Sequence, residues 1–509
     1  MNIKLNILFV FIVCVFVTNA QTIKFNYQYP NNGGSLSTNL INISNKYYML
    51  GISGNTQTNQ YQGLAYLRTD ENGISEYSKE IFHPNGNGFT SNCNSNMFTN
   101  QFNKYVLFNG VIQIGTDHYR ATLVKFNLIT GDTLWLKTYS QPGDSTQLFT
   151  STTLADSSII VLGYKYYIVG NNHYSKPFIM RVDKNGNYKW HKYIDTNFSL
   201  TNYYYQKIIK INDNDFIVLG NKYSSICYPQ AFSMRVDTNG VKQYEVNFTG
   251  IQYPVVNDAI VLQDGSILAV GGYVAVSNCS AVSDKYKKFA YKINPANGGK
   301  IISKTYNHQS NATNATSVQQ KTNGLILIGG ATTNESTVNS YNYNADILTL
   351  NNNLDSLNTI FIDNAGVGFS QNTNQLILTP DGGFAAAIAS YPNAGQQKFW
   401  LVKADSNGCY TSTCSSVGIK ELEKLNDKFK IYPNPANEVI NVELGMLAST
   451  GSATNYKIEI TNTLGRTIQE AEIKTKQITI DLKELNSGLY FIKLFEKQKL
   501  ISTYKFIKQ

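Results

Sequence analysis

The sequence is poor in the residues that most often carry metal, redox or nucleophilic chemistry. Its five histidines stand singly in different parts of the chain: His83, His118, His173, His191 and His308. Neither a paired-histidine nor a Cys-x-x-Cys spacing occurs, so no zinc site is expected. Gly-x-Ser-x-Gly elbows, phosphate-binding loops and dinucleotide fingerprints are also missing. The sequence therefore predicts no catalytic residue, no metal and no cofactor.

Charge and long apolar runs are equally sparse. The formal net charge is +9, but Lys and Arg are dispersed, which favours a solvated surface over a nucleic-acid footprint. Residues 1–20 combine Lys4, a short apolar run and Thr18-Asn19-Ala20, the pattern of a secretory signal peptide. No later segment approaches the roughly 18 apolar residues of a membrane span. We expect an exported mature chain without a membrane span.

Five cysteines remain once the signal peptide is removed. Export permits disulfides. Cys409 and Cys414 enclose four residues and are predicted to pair, and Cys227 with Cys279 is a second candidate pair. Cys93 is then left as a single thiol.

One unit is repeated through most of the chain. Residues 159–194 read as an apolar strand, a polar loop, a second strand, a tight turn and a strand with Trp190. Turn markers recur about every 55 residues, a period typical of propellers and related arrays. They are Gly73, Gly131, Gly186, Gly240, Gly298, Asn353 and Gly408. A bulky residue follows four positions after most markers, at Tyr77, Trp135, Trp190, Tyr244, Ile302 and Leu357.

The last repeat lacks a fourth strand, and the N-terminus offers one. Nothing strand-like follows Gly408 directly, whereas residues 22–29 read as an isolated strand with Phe25 in the bulky position. Closure would remove the exposed sheet edges of an open array. We predict an all-β chain with a seven-bladed β-propeller closed by an N-terminal strand. An open solenoid and a ring of six or eight blades are the alternatives.

A different unit follows the repeats. We predict the propeller over residues 21–414, a polar linker over 415–428 and a small Ig-like β-sandwich over 429–509, where seven short strands are expected.

Four short motifs of this last unit resemble a known family. They are Ile-Tyr-Pro-Asn-Pro-Ala at 431–436, Asn-Thr-Leu-Gly-Arg at 462–466, Leu-Asn-Ser-Gly-Leu-Tyr-Phe-Ile-Lys at 485–493 and Lys-Phe-Ile-Lys at 505–508. In order and spacing they resemble the type A C-terminal sorting domain of the type IX secretion system; Gln509 is a small departure. The matching residues are Pro433, Asn434, Pro435, Gly465, Arg466, Gly488, Tyr490, Lys505 and Lys508.

The resemblance implies a Bacteroidota source, Sec export and recognition by an outer-membrane translocon. It also implies release from the cell or attachment to surface lipopolysaccharide after the domain is removed. The repeats are similar to propeller-type repeats common in cargo of this system.

Binding residues are sought on the longer loops, because loops on a rigid scaffold commonly carry function. In a four-stranded blade the two tight turns share one face and the longer loops share the other. Asp213 and Asp215 could form a carboxylate pair but are interpreted as part of a hairpin turn. The candidate binding residues on the long loops are Tyr61, Tyr174, Tyr228, Tyr273, Tyr341 and Tyr343. The alternative is that tyrosine is simply abundant in this chain.

The prediction is a secreted or surface-attached propeller that binds glycans or proteins without catalysis. An extracellular polysaccharide lyase or glycosidase with an axial site is the alternative, since sequence spacing does not exclude a site assembled from separate blades. A structural spacer in the surface layer is a third.

Overall fold

All regular elements in the described part of the chain are β-strands. The computed structural model describes residues 23–29, 34–55, 60–85, 88–90, 97–114, 118–139, 145–169, 172–194, 202–223, 229–274, 286–306, 313–333, 343–362, 369–392, 398–411, 429–444, 456–462, 466–473, 475, 477–496 and 499–509. The chain divides into two compact units, Met1–Cys414 and Ser415–Gln509. They are called the repeat unit and the sorting unit below.

The described residues of the repeat unit form seven antiparallel sheets, numbered I to VII. Sheet I contains β2 (Gly34–Ile43), β3 (Lys46–Asn55), β4 (Gln60–Thr69) and β5 (Ser75–Phe82). Sheet II contains β6 (Phe89–Thr90), β7 (Phe98–Gln101), β8 (Tyr105–Ile114), β9 (His118–Asn127) and β10 (Thr133–Thr138). Sheet III contains β11 (Ser145–Thr153), β12 (Ile159–Val169), β13 (Asn172–Val182) and β14 (Tyr188–Tyr193). Sheet IV contains β15 (Asn202–Asn212), β16 (Asp215–Tyr223), β17 (Pro229–Asp237) and β18 (Lys242–Asn247).

The remaining sheets follow the same plan. Sheet V contains β19 (Pro254–Val261), β20 (Ile267–Val274), β21 (Tyr286–Ile293) and β22 (Lys300–Tyr306). Sheet VI contains β23 (Thr313–Gln320), β24 (Ile326–Thr333), β25 (Tyr343–Leu350) and β26 (Ser356–Ile362). Sheet VII contains β27 (Phe369–Leu378), β28 (Phe384–Pro392), β29 (Lys398–Ala404) and, from the other end of the chain, β1 (Phe25–Tyr29).

The N-terminal strand pairs where the sequence predicted. In β1, Phe25 lies opposite Lys403 and Tyr29 lies opposite Phe399. The indole Nε1 of Trp400 donates a hydrogen bond to Asn26 Oδ1 at 2.5 Å. Because Phe25 and Tyr29 are also buried, β1 is an integral strand of sheet VII.

Buried hydrophobic side chains fill the seams between successive sheets. A separate cluster joins sheets I and II, II and III, III and IV, IV and V, V and VI, and VI and VII. A seventh cluster joins sheet VII to sheet I and includes Phe25, Met49 and Leu401. The apolar contacts therefore run from each sheet to the next and return from the last sheet to the first.

The predicted turn chemistry is present at the seams. Asp183 Oδ1 accepts hydrogen bonds from the backbone N–H groups of Asn185 at 2.9 Å and Asn187 at 2.8 Å. Gly186 has a φ of 77°, which a side chain would strain. A Cβ there would also lie 2.8 Å from Trp135 of the preceding sheet. The turn thus forms a flat surface against which the bulky residue of its neighbour packs.

A tyrosine hydroxyl repeatedly fastens one sheet to the turn of the next. Tyr66 donates to the carbonyl of Leu128 at 2.6 Å, and Tyr306 donates to that of Leu354 at 2.8 Å. At the seam between sheets VII and I, Tyr29 donates to the carbonyl of Gly73 at 2.5 Å. Burial raises the pKa of Tyr29, Tyr66 and Tyr306 well above the usual range. The abundance of tyrosine is therefore partly structural.

The register of the sixth turn was predicted wrongly. The residue with a left-handed backbone is Leu354, with a φ of 62°, and not Asn353. Consistent with this shift, Leu357 is 55% exposed and does not fill the bulky position. Because leucine rarely adopts positive φ, the sequence indicates a turn here but not its register.

Two polar segments, for which we expect loops between the repeated strands, contain strands instead. Residues 83–102 include β6 and β7, which both pair with β8. Residues 171–176 fall largely within β13, where Asn172 lies opposite Val169. The backbone N–H and C=O groups of these segments pair across a strand ladder. The polarity of the side chains does not reveal this pairing.

The sorting unit is built from two sheets around its own core. One contains β30 (Phe429–Tyr432), β31 (Val439–Leu444) and β34 (Gln477–Asp481). The other has the order β33 (Thr467–Ile473), β32 (Tyr456–Asn462), β35 (Gly488–Glu496) and β36 (Lys499–Lys508). Its core includes Ile440, Ile460, Ile492 and Phe506. These seven strands match the seven that were predicted.

Candidate functional site

The first strands of the repeat-unit sheets surround a polar cavity of about 530 Å³, called the inner-strand cavity below. Residues from the first strands of sheets I, III, IV, VI and VII line it, together with residues from β7 of sheet II and the turn after it. Amide and hydroxyl groups dominate the lining: Asn39, Asn42, Thr99, Asn100, Thr150, Ser151, Gln319 and Gln375, with Lys207 as the charged side chain. Leu40, Ile41, Ile208 and Ile377 contribute apolar surface.

A repeated backbone irregularity positions part of this lining. The first strands of sheets I and III to VII each shift register by one residue against their neighbour, as between Thr373 and Gln375. Such bulges turn a side chain out of the regular alternation and are frequent beside functional sites. The residues that follow the shift form what we call the bulge ring: Asn39, Thr150, Lys207, Asp258, Ser317 and Gln375.

Neighbouring members of the bulge ring are linked by specific polar contacts. Lys207 Nζ lies 2.8 Å from Asp258 Oδ1. The other oxygen of Asp258 accepts the backbone N–H of Val318 at 3.1 Å. Ser317 Oγ likewise accepts the backbone N–H of Leu376 at 3.0 Å. Sheets V and VI thus each cap a peptide group of the following sheet.

The same pattern stops at sheet VII. Gln375 Oε1 is buried and has no hydrogen-bond partner among the described residues, and the same is true of Asn42 Nδ2. Both residues line the cavity. Because an unmade hydrogen bond on a buried polar atom costs about 1–3 kcal/mol, such atoms need an explanation. The side-chain amides of Asn42 and Gln375 therefore have unused hydrogen-bonding capacity in the cavity wall.

The cavity lining carries almost no net charge once the Lys207–Asp258 ion pair is counted. The carboxylate of Asp258 is 6% exposed and its charge is compensated by Lys207. Apart from Lys207, the polar groups that line the cavity are uncharged amides and hydroxyls. This donor and acceptor set suits hydroxyl groups, which both donate and accept.

The cavity lies in the half of the first strands nearest the tight turns. Asn42 is two residues from Ser44, which begins the turn into β3, and Gln375 lies seven residues before the positive-φ Gly382. From the sequence, ligands are expected on the long-loop face instead. The bulge ring is not predictable in the same way, because a register shift leaves no residue signature of its own.

One weak signal was available in the sequence. Thr150, Asp258, Ser317 and Gln375 all stand seven residues before a turn residue with positive φ. Aligning the repeats on that turn places a polar residue at the same register of these four strands.

Four of the six candidate tyrosines lie in different sheets. Tyr61, Tyr174, Tyr273 and Tyr343 belong to strands β4, β13, β20 and β25 of four different sheets, and are not loop residues as predicted. Tyr273 lies opposite Lys287 and Tyr343 lies opposite Thr333, near the ends of their strands. Neither is among the described residues that line the cavity. Tyr228 and Tyr341 lie outside the described residues. A ligand-binding role for the six stays a prediction.

Other predicted residues have structural roles or remain untested. Asn212 lies opposite Asp215, so Asp213 occupies a two-residue hairpin turn as interpreted. Cys409 is disulfide-bonded. The predicted partner Cys414 lies outside the described residues, as do Cys93, Cys227 and Cys279. Within the described part of the chain, no group of three or more His, Cys, Asp or Glu residues is placed to hold a metal ion.

The predicted sorting residues assemble around the last strand. Asn434 Nδ2 donates to the carbonyl of Lys505 at 3.1 Å, and Asn434 Oδ1 accepts the backbone N–H of Ile507 at 3.0 Å. Pro433 and Pro435 flank this residue and are exposed, as are Arg466, Gly488 and Lys505, whereas Lys508 is buried. Tyr490 stacks on Phe506 with a ring-centroid distance of 5.7 Å. Gly465 lies outside the described residues.

Residues 430–509 match the model of the secretion system C-terminal sorting domain family. This confirms the resemblance carried by the four motifs. No curated protein sequence matches the chain. Among the described residues, no helix is long and apolar enough to cross a bilayer.

Solved structures resemble the chain only distantly. PorZ, a surface component of the type IX secretion system of Porphyromonas gingivalis, is 10% identical, with 92% of this chain and 65% of PorZ covered and a TM-score of 0.31. Puromycin hydrolase is 9% identical over 83% of this chain and 61% of its own, with a TM-score of 0.45. The polysaccharide lyase Uly1 is 12% identical over 76% and 93%, with a TM-score of 0.43. This chain covers less than two thirds of the first two, and we draw neither fold nor function from scores below 0.5.

Proposed function

Because residues 430–509 carry a type IX secretion C-terminal sorting domain, which implies export to the cell surface or the medium, we propose that the repeat unit acts outside the cell as a non-catalytic, ligand-binding β-propeller. Its ligand is an uncharged, hydroxyl-rich molecule, such as a glycan, held in the inner-strand cavity. The observation that carries the proposal is the pair of buried, unpartnered amide atoms on Asn42 and Gln375 in the cavity wall.

The seven-bladed, closed form of the propeller is part of this proposal. Its support is the apolar seam between sheets VII and I and the hydrogen bond from Tyr29 to the carbonyl of Gly73 across that seam. A ring closed in this way holds the first strands at fixed separations. Lining groups on six sheets can then act on one ligand without a large ordering cost on binding.

The ligand class follows from the chemistry of the lining. Amides offer a donor and an acceptor each, and Thr and Ser hydroxyls offer both from one atom. Lys207 is held by Asp258 at 2.8 Å, so an anionic ligand would have to compete with that ion pair. Sugars match this set, since their hydroxyl groups bond amides while their C–H faces contact Leu40 and Ile377.

The test is binding of the purified full-length protein to an array of neutral and acidic glycans and of surface proteins, followed by calorimetric titration of the hits. We expect neutral glycans to bind, and Gln375→Ala and Asn42→Ala each to weaken binding about tenfold. Gln469→Ala, which changes a half-exposed amide of the sorting unit, is the matched control and should bind as the wild type does.

Two results would overturn the proposal. Binding restricted to acidic glycans or to proteins would remove the ligand class. Hydrolysis or elimination products that appear when the hits are incubated with the protein, and disappear in the Gln375→Ala variant, would make the cavity an active site and the protein an enzyme.

A further inference from the structure

The four sorting motifs, spread over about 75 residues of sequence, meet at one end of the larger sheet of the sorting unit. Asn462, in the second motif, lies opposite Tyr490 of the third. Tyr490 in turn lies opposite Phe506 of the fourth. The turn of the second motif is fixed here as well, because Asn462 Oδ1 accepts the backbone N–H of Arg466 at 3.0 Å.

The first motif lies at the same end of the sheet and forms hydrogen bonds with the final strand. Besides the two hydrogen bonds of Asn434, the backbone N–H of Ala436 donates to the carbonyl of Ile507 at 2.8 Å, and the N–H of Gln509 donates to the carbonyl of Ala436 at 2.9 Å. The segment therefore covers the free edge of β36 at its C-terminal end. An edge left open would be a site for unspecific strand pairing.

The outer face of β35 and β36 at this end is unusually apolar for a surface. Leu489 and Ile507 lie directly opposite each other, and they are 41% and 50% exposed. Phe491, the next outward residue of β35, is partly exposed and lies opposite Lys505. Contiguous exposed apolar side chains of this kind mark interaction sites more often than single ones do.

Basic groups border the apolar side chains. Lys493 and Lys505 stand on the same outer face. Lys493 lies opposite Glu459 of β32, whereas Lys505 lies opposite Phe491 and forms no ion pair with a described residue. Elsewhere in the same sheet lysine charges are balanced, since Lys457 lies 3.1 Å from Glu459 and 2.9 Å from Glu470. Uncompensated charge beside an apolar strip favours a partner that supplies carboxylates at the rim.

We propose that Leu489, Phe491, Lys493, Lys505 and Ile507 form the docking surface by which the sorting domain binds a component of the type IX secretion machinery. The partner surface is apolar at its centre and acidic at its edge. Family membership identifies the partner as that machinery, and the convergence of the four motifs, the exposed apolar pair and Lys505 beside it identify the surface. Asn434 is a positioning residue, because it fixes the strand that presents Lys505 and Ile507 without contacting the partner itself.

The experiment expresses the full chain in a bacterium with a type IX secretion system and measures its fraction outside the cell and in the periplasm. Ile507→Glu and Leu489→Glu place a carboxylate in the apolar strip, where it has the same charge sign as the acidic edge of the partner. We expect at least a tenfold loss of export with accumulation in the periplasm. Val439→Glu is the matched control, since Val439 is 40% exposed on the other sheet, and it should export normally. Lys505→Glu should reduce export less than Ile507→Glu does.

Misfolding is separated from lost docking by the melting temperature of each purified variant. Export failure of Ile507→Glu and Leu489→Glu with an unchanged melting temperature supports the docking surface. Normal export of both variants, or equal failure of Val439→Glu, overturns it. Asn434→Ala should lower export while increasing hydrogen exchange at residues 505–509, and lost export without that increase would remove the positioning role.

Discussion

The seams between sheets and the strands around the cavity repeat to different degrees. At the seams the same contact recurs, with a tyrosine hydroxyl on the carbonyl of the next turn, as for Tyr29, Tyr66 and Tyr306. Around the cavity the backbone shift recurs, but the side chain that follows it changes from sheet to sheet. The repeated contact supports the fold, and the variable side chains on the repeated backbone line the cavity in which we propose that a ligand binds.

The largest expected effect comes from removing a whole seam. Deleting residues 21–30 takes away β1 and the buried side chains of Phe25 and Tyr29, and each buried aromatic lost costs about 3–5 kcal/mol. We expect the free energy of unfolding of the repeat unit to fall by more than about 5 kcal/mol, measured by urea denaturation of the mature protein.

A single change on the same strand provides the control for that deletion. Tyr27 is 41% exposed, so Tyr27→Ala should shift the urea midpoint only slightly. A deletion variant as stable as the wild type would mean that the N-terminal strand does not close the ring.

A smaller effect separates seam packing from backbone strain. Gly186 and Gly265 have φ angles of 77° and 81°, but a Cβ on Gly186 meets Trp135 at 2.8 Å whereas one on Gly265 meets nothing within 4 Å. Gly265→Ala should cost about 1 kcal/mol from left-handed strain, and Gly186→Ala about 2–4 kcal/mol because overpacking adds to that strain. Equal losses in thermal unfolding would show that the turn does not support the neighbouring sheet.

Alkaline pH tests the seams through their tyrosines. Burial raises the pKa of Tyr29 and Tyr66, whereas an unfolded tyrosine ionises near pH 10. The stabilisation from the neutral form is thus complete below about pH 10 and falls above it, by up to about 1.4 kcal/mol per pH unit for each such tyrosine. Urea unfolding between pH 8 and 11 measures this slope. Tyr29→Phe should make it shallower, and an unchanged slope would contradict the role of that hydroxyl.

The sequence was sufficient where structure depends on turn chemistry and strand pattern. The Asp183-Lys184-Asn185-Gly186 turn follows from residue types alone, because Asp and Asn bond locally and Gly accepts positive φ. The strand at Phe25 is predictable because it places an aromatic residue in the bulky position of the missing fourth strand. Leu354 was missed since its left-handed backbone is imposed by packing against the neighbouring sheet and not by its own preference.

The candidate site was harder to predict for a physical reason. A bulge is a property of two paired strands, and Gln375 looks like an ordinary polar strand residue until its partner strand is placed. The placement of four tyrosines was also predicted wrongly, because residue type suggested loops whereas Tyr61, Tyr174, Tyr273 and Tyr343 lie in strands. Their role in binding stays a prediction.

The most direct test of the division between seam and cavity is the dissociation constant of the best neutral glycan for Gln375→Ala beside that for Tyr306→Phe. We expect the Gln375→Ala variant to bind about tenfold more weakly, equivalent to about 1.4 kcal/mol, with an unchanged melting temperature. Tyr306→Phe loses a hydrogen bond worth about 1 kcal/mol and should melt earlier while binding normally. Unchanged binding by Gln375→Ala, or weakened binding by Tyr306→Phe at a temperature where it is folded, would contradict the account.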